Sequence, residues 1–242
     1  MSSDRKPSRG LTVALVGLDG AGKTTVARRL PQMLDRPTTY VYMGVNAESS
    51  NLMLPTTRLI EAIKARRRAG RRRDRARTSG AAETGTVLTR AESGSNWPRA
   101  LGPAIGAVRL VNRISEEIYR QRIAARHRAR GEVVILDRDF LFDYYAIDVA
   151  GNGRTLGRRL HGLFLKTVYP RPDLLLFLDA PPDVLFARKG EGTIESLTRR
   201  RLDYQAALAL VRRHAIIDAT RSLDEVTREA ARLINAALAE SA

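Results

Sequence analysis

Apolar residues recur along this chain in two rhythms. Short dense runs occur at Leu11–Val16 (broken only by Thr12), at Glu132–Leu136 (EVVIL) and at Asp173–Leu178 (DLLLFL). A β-branched and aromatic stretch lies at Thr38–Met43 (TTYVYM), and a brief apolar one at Ala215–Ile217. Runs with no polar face predict strands buried in a parallel sheet. Elsewhere the apolar positions step by three and four. Ile105, Val108, Val111, Ile114, Ile118 and Ile123 predict a helix over 105–130, with Gly131 as its C-terminal stop. Lys23–Leu30 predicts a helix with Val26, Ala27 and Leu30 on one side, and Pro31, which lacks an N–H, bends or restarts it. Phe140–Tyr169 is helical with a break at Gly151-Asn152-Gly153. Pro182 opens a helix to Arg188, Lys189–Gly192 breaks it, and Ile194–Arg213 resumes it. Ser222-x-x-Glu225 is a capping box before the stripe Val226, Ala230, Leu233, Ile234 and Ala237. Strands alternating with helices predict an α/β fold, a doubly wound parallel sheet of about five strands with helices on both faces.

The first strand ends in Gly17-Leu18-Asp19-Gly20-Ala21-Gly22-Lys23-Thr24, with Thr25 next, and fits G-x-x-x-x-G-K-[ST] between a strand and a helix. Gly17, Gly20 and Gly22 let the loop bend so that its amides converge on a phosphate, and the helix start adds its positive end. Lys23 is placed to reach the outer phosphates and the Thr24 hydroxyl to hold Mg²⁺. This is the pattern of a nucleotide-phosphate site. Right-handed crossovers put every strand's carboxyl end on the same rim, where open α/β sheets bind ligands. On that rim stands Asp137-Arg138-Asp139. Arg138 suits a bidentate clamp on an acceptor's anionic group. Asp137 suits either ordering a Mg²⁺-bound water or accepting the proton of an attacking hydroxyl.

Composition adds a second theme. The 242 residues carry a net charge of +16, and Lys64–Arg77 holds nine basic residues against Asp74, half of that excess. Two readings stay open for this run: a solvated charged helix, or an arm binding an anionic partner such as nucleic acid or lipid. No aromatic residue interleaves with it, which argues against single-strand stacking. Thr78–Pro103 is rich in Gly, Ser, Thr and Ala and cannot bury enough apolar area to order itself, with Trp97 its one candidate anchor. The expected layout is a flexible tail over 1–10 and a single domain over 11–242 with a basic insertion at about 64–103. Leu59, Ile60 and Ile63 ahead of the insertion read as core, with a membrane- or partner-contacting face as the alternative. Absence of cysteine, with three scattered histidines, excludes a disulfide framework and a thiolate metal site. No apolar run approaches the ~20 residues of a membrane span, and the first residues lack a signal peptide's apolar core, so a cytoplasmic location is expected.

The chain resembles the thymidylate kinase branch of the nucleoside monophosphate kinases. GLDGAGKTT is similar to that family's G-x-D-G-x-G-K-[ST]-T loop, VVILDRDF to its V-[IV]-x-D-R-[YF] strand end, and PDLLLFLDAPPDVLFAR to its strand-to-helix passage. Leu197–Tyr204 and Ile217-Asp218-Ala219 fit the segment from lid to last strand. The resemblance covers 11–44 and 105–238 but not the insertion. It implies a P-loop kinase fold, ATP and Mg²⁺ as cofactors, a small-molecule phosphoryl acceptor, a lid at about 188–201 and a homodimer. It further implies that Asp19 lies near the acceptor's sugar hydroxyl or the metal shell. Arg138 would hold the acceptor phosphate, and Asp137 would serve metal or base. Arg188 would lead into the lid, and one or more of Arg199, Arg200 and Arg201 would close over the transferring phosphate, Arg200 being the central choice. Ala219 and Thr220 would border the adenine. Met43-Gly44-Val45-Asn46 replaces the family's Arg-Glu-Pro-Gly, the base-reading pattern is absent from Arg109–Tyr119, and Asp139 replaces an aromatic residue. All three departures lie on the acceptor side.

The leading expectation is therefore an ATP-dependent phosphotransferase acting on a nucleoside monophosphate or a related phosphorylated small molecule. A kinase of an unphosphorylated nucleoside or sugar, with Asp137 or Asp139 as base, is the alternative. A nucleotide-switched binding protein using the arginine run is the third reading.

Overall fold

The computed structural model describes residues 10–44, 54, 102–151 and 155–240. The tail over 1–9, Leu59, Ile60 and Ile63, the arginine run, Trp97, nearly all of the 64–103 insertion, and Asn152 and Gly153 of the glycine break lie outside the described residues. By their contacts the residues fall into two units, 1–52 with 117–242, and 53–116.

In the first unit, β1 (Leu11–Gly17), β2 (Thr38–Tyr42), β3 (Val133–Asp137), β4 (Leu174–Asp179) and β5 (His214–Asp218) form a wholly parallel sheet in the order β2-β3-β1-β4-β5. Every residue of β1 and β3 is buried, as their unbroken apolar runs require, whereas β2 and β5 are half-exposed edges. Phe177, Leu15, Ile135, Leu136, Leu175 and Leu176 are fully buried at the centre of one hydrophobic cluster.

The described helices are α1 (Lys23–Arg29), α2 (Gly102–Ala129), α3 (Phe140–Tyr144), α4 (Leu156–Thr167), α5 (Pro182–Lys189), α6 (Ile194–Leu208) and α7 (Leu223–Glu240). Pro31 restarts the chain after α1 as a 3-10 turn over Leu30–Gln32. The capping box ahead of α7 forms, with the Ser222 amide on Glu225 at 3.0 Å and the Glu225 amide on Ser222 at 3.3 Å. None of the described helices is long and apolar enough to cross a membrane.

Two boundaries differ from expectation. Gly10, assigned to the tail, is buried, and its carbonyl accepts from Arg128 Nε at 3.2 Å. The helix expected to reach Arg213 stops at Leu208, because the chain must turn there for Val211 to enter the core and His214 to pair with Leu175. The helix expected over 140–169 is interrupted around its glycines as predicted: α3 runs on as a π-helix over Tyr145–Val149, and α4 starts at Leu156. α4 packs so closely that a Cβ on Gly162 would overlap the Asp148 carbonyl. In the second unit, the Leu54 amide donates to the Glu116 carboxylate at 3.0 Å.

The strand order locates the ligand crevice. β1 lies between β3 and β4, and the chain passes to opposite sides of β1 on its two excursions, so the crevice opens at the carboxyl ends of β1 and β3. Leu15 is in register with Asp137, which brings the glycine loop and the Asp-Arg-Asp segment side by side.

Candidate active site

The loop from Gly17 to Gly22 takes a shape closed to ordinary residues. Gly17 has φ 154°, and a Cβ there would lie 2.5 Å from the Leu178 carbonyl of β4. Gly22 starts α1 in the left-handed conformation (φ 83°), with no side-chain cap and no acidic residue in the first turn. The helix therefore presents uncapped amides to an anion rather than to a protein carboxylate. Lys23, only 5% exposed, folds back to donate to the Leu18 carbonyl at 2.7 Å. Burial pushes its pKa down to about 8, Arg138 adds to the effect, and Asp19, Asp143 and Asp137 offset part of it.

Asp19 joins this loop to two other elements. Its Oδ1 is 3.3 Å from Arg138 Nη2 and its Oδ2 is 3.3 Å from Arg200 Nη1 on α6. Burial alone would raise its pKa, but Lys23, Arg200, Arg138 and Lys189 together hold it below the usual carboxylate value.

Asp137, the last residue of β3, is fully buried. Its Oδ2 accepts a 2.7 Å bond from the Tyr40 hydroxyl, while Oδ1 has no partner among the described residues. Burial, then the bond to Asp137 and its charge, holds the Tyr40 hydroxyl proton far above the ordinary range, so this group stays a donor. Arg138 follows with φ 79°, a strained position for a non-glycine residue, while its amide continues the ladder to the Leu15 carbonyl at 3.0 Å. Burial opposes its charge, but Asp143, Tyr42, Asp19 and Tyr204 outweigh it and raise the guanidinium pKa. Asp139 is spent on structure. It caps α3 by accepting from the Leu141 amide at 2.9 Å, and the Tyr169 hydroxyl stands 3.5 Å away, which leaves it a poor choice of base. Burial pushes its pKa up to about 7.

The three arginines expected to serve a lid, Arg199, Arg200 and Arg201, separate by partner. Arg199 pairs with Glu195 at 3.3 Å on the exposed face of α6. Arg201 grips Asp179 in bidentate fashion at 2.7 and 2.6 Å. Of the three, Arg200 reaches the phosphate loop. Arg188 lies elsewhere, its Nη1 donating to the Ala219 carbonyl at 2.8 Å and its Nη2 to Thr220 at 3.5 Å. It lines a cleft of about 220 Å³ with Ala21, Gly22, Thr25, Ala219 and Arg221.

The chain is 31% identical to a thymidylate kinase of Xanthomonas euvesicatoria pv. vesicatoria, over 99% of this chain and 89% of the relative. It is 32% identical to one of Xanthomonas oryzae pv. oryzae over the same shares, and 33% identical to one of Xanthomonas campestris pv. campestris over 96% and 86%. The chain belongs to the thymidylate kinase family. No protein-family model matches it. Membership in the thymidylate kinase family makes the chain a nucleotide-binding kinase, and its five parallel strands with flanking helices are an α/β P-loop kinase fold.

The residues picked out in the sequence fall into two groups in this kinase. Asp19, Lys23, Asp137, Arg138 and Arg200 share the crevice beside β1, while Ala21, Gly22, Thr25, Arg188 and Ala219 surround the cleft. Thr24 stands partly exposed at the start of α1, and the Thr220 hydroxyl is spent on Asp218 at 2.6 Å. Among the described residues no cluster of three metal-ligating side chains forms. Mg²⁺ is commonly held by one or two carboxylates plus substrate phosphates and water, and the orphaned Oδ1 of Asp137 fits such a role.

Three residues of the site carry no motif. Asp143, on α3, accepts from the Tyr204 hydroxyl of α6 at 3.2 Å. Burial pushes its pKa up, against Arg138 and Lys23. Arg120 of α2 donates to the carbonyls of Tyr42 at 3.3 Å and Gly44 at 2.8 Å, and so pins the loop after β2. Each was hidden because its neighbours in the site are distant in sequence.

Proposed function

We propose that this chain moves the γ-phosphoryl group of Mg²⁺-bound ATP to the phosphate of a nucleoside monophosphate, with thymidylate the first acceptor to try. The observation that carries the reading is the sharing of Asp19 by Arg138 and Arg200, which brings donor loop, acceptor-side arginine and lid to one point. Ala219, Thr220 and Arg188 border the adenine, and the amides of the Gly17–Thr25 segment with Lys23 hold the phosphates. Thr24 and Asp137 would hold Mg²⁺, which would neutralise charge on the ATP phosphates. Arg138 holds the acceptor's phosphate. An oxygen of that phosphate attacks Pγ, the bond from Pγ to the bridging oxygen breaks, and ADP leaves. Arg200 leaves Asp19 for the transferring group, whose charge it stabilises.

Residues 188–201 act as the lid, within a single domain over 11–242 that works as a homodimer in a cytoplasmic setting, and Lys64–Arg77 meets an anionic partner. A panel of nucleoside monophosphates, nucleosides and sugars incubated with γ-labelled ATP tests the acceptor. Label is expected in a nucleoside diphosphate. Label only in hydroxyl esters of unphosphorylated compounds would overturn the reading.

A further inference from the structure

Tyr40 sits on the edge strand two residues before Tyr42, which pairs in register with Asp137. Alternation along a strand puts Tyr40 and Tyr42 on the same face, and the Tyr40 ring reaches along that face to the Asp137 carboxylate. Its hydroxyl donates to one oxygen of that carboxylate at 2.7 Å, and the other oxygen, equally buried, has no hydrogen-bond partner among the described residues. An unpaired carboxylate oxygen in the interior is costly unless a ligand completes it. The two oxygens of a free carboxylate are interchangeable by rotation about a soft torsion. A single strong donor on one of them removes that freedom and decides which oxygen remains for a ligand.

We propose that Tyr40 is a positioning residue, whose bond to Asp137 Oδ2 orients the carboxylate so that Oδ1 is presented to the hydration shell of Mg²⁺. The inference rests on the reading that Asp137 serves Mg²⁺. Without the Tyr40 hydroxyl the carboxylate turns toward other cations in range, of which Lys23 is one, and the metal loses a fixed acceptor. Residues that orient a metal-facing ligand typically change metal affinity by about 10- to 100-fold when removed. Phenylalanine at position 40 keeps the ring and its fit to the strand, and so isolates the hydroxyl.

The test compares wild type, Tyr40→Phe, Asp137→Asn and the double variant. The first readout needs no turnover: Mg²⁺ is titrated against the thermal shift produced by a non-hydrolysable ATP analogue. The second is the Mg²⁺ concentration giving half-maximal phosphoryl transfer. Tyr40→Phe is expected to raise both Mg²⁺ midpoints about 10-fold, to leave the analogue's Mg²⁺-free shift unchanged, and to add little on top of Asp137→Asn. Tyr40→His, which keeps a ring donor, should fall between wild type and Tyr40→Phe and serves if the phenylalanine variant does not fold. Unchanged midpoints in Tyr40→Phe or in Tyr40→His, even with a lower Tm, would mean a structural role alone and overturn the proposal. Unchanged midpoints in Asp137→Asn would instead remove the metal assignment of Asp137 on which it rests.

Discussion

Arg138 and Arg200 stand on the two oxygens of one carboxylate, each 3.3 Å from Asp19. One arginine follows a central strand and the other rides on α6, so a residue of the phosphate loop holds both. Partly exposed pairs of this kind are weak, worth about 0–1 kcal/mol each. Phosphate oxygens can therefore displace Asp19 from both arginines without a large cost.

Arg200 should matter to turnover in a way its neighbours do not. Arg200→Ala is expected to lower kcat by at least about 10-fold, since on the proposed function it removes a donor to the developing charge. Arg199→Ala, which loses only an exposed pair with Glu195, should stay within about twofold of wild type, because such pairs contribute so little. Steady-state kinetics on the two variants checks this, and equal effects would contradict it.

The positive φ of Arg138 separates its functional from its structural contribution. Arg138→Ala and Arg138→Gly should both raise the acceptor KM by about 10-fold or more while leaving the KM for ATP nearly unchanged, as loss of a charge-assisted phosphate contact predicts. Glycine relieves the φ 79° backbone that alanine cannot adopt freely. The glycine variant should therefore be the more stable of the two by about 1 kcal/mol in urea denaturation.

Lys23 gives a pH dependence with a definite sign. Its pKa in the folded protein is about 8, against 10.5 for the ordinary group. Between those values the unfolded chain binds more protons, so stability rises with pH across that window. Relative to Lys23→Met, the wild type should gain up to about 3 kcal/mol as the pH goes from 7 toward 10.5. Urea midpoints at several pH values measure the difference, and a constant gap would show that the lysine is not depressed.

Gly162 lies in the same unit but outside the site. Gly162→Ala should cost about 2–4 kcal/mol, because its Cβ meets the Asp148 backbone carbonyl rather than a movable side chain. The kcat of the protein that remains folded should be unchanged. Thermal melts and kinetics at a permissive temperature check both statements.

The phosphate loop was legible in the sequence because its requirement is local: glycines at positive φ, then a lysine, between a strand and a helix. Asp137 and Arg138 were legible as the charged end of an apolar strand. The separate duties of Arg199, Arg200 and Arg201 were not, since three consecutive residues on a helix point to three directions and only packing assigns them. Asp139 looked as available as Asp137, but an acidic residue just before a helix is as readily a cap as a base. Tyr40, Arg120, Asp143 and Tyr204 come together only through the parallel sheet and the crossing of α3 with α6. The end of α6 at Leu208 likewise answers to the pairing of β5, which local periodicity does not contain.

Binding of a bisubstrate compound, with adenosine and thymidine joined through a polyphosphate chain, tests the shared site most directly. Such a compound should bind at least about 100-fold more tightly than ATP or the monophosphate alone, since the second contact becomes intramolecular. Calorimetry should show that affinity falling in both Lys23→Ala and Arg138→Ala. Affinity no better than ATP alone, or loss in only one of the two variants, would mean that Lys23 and Arg138 serve separate sites.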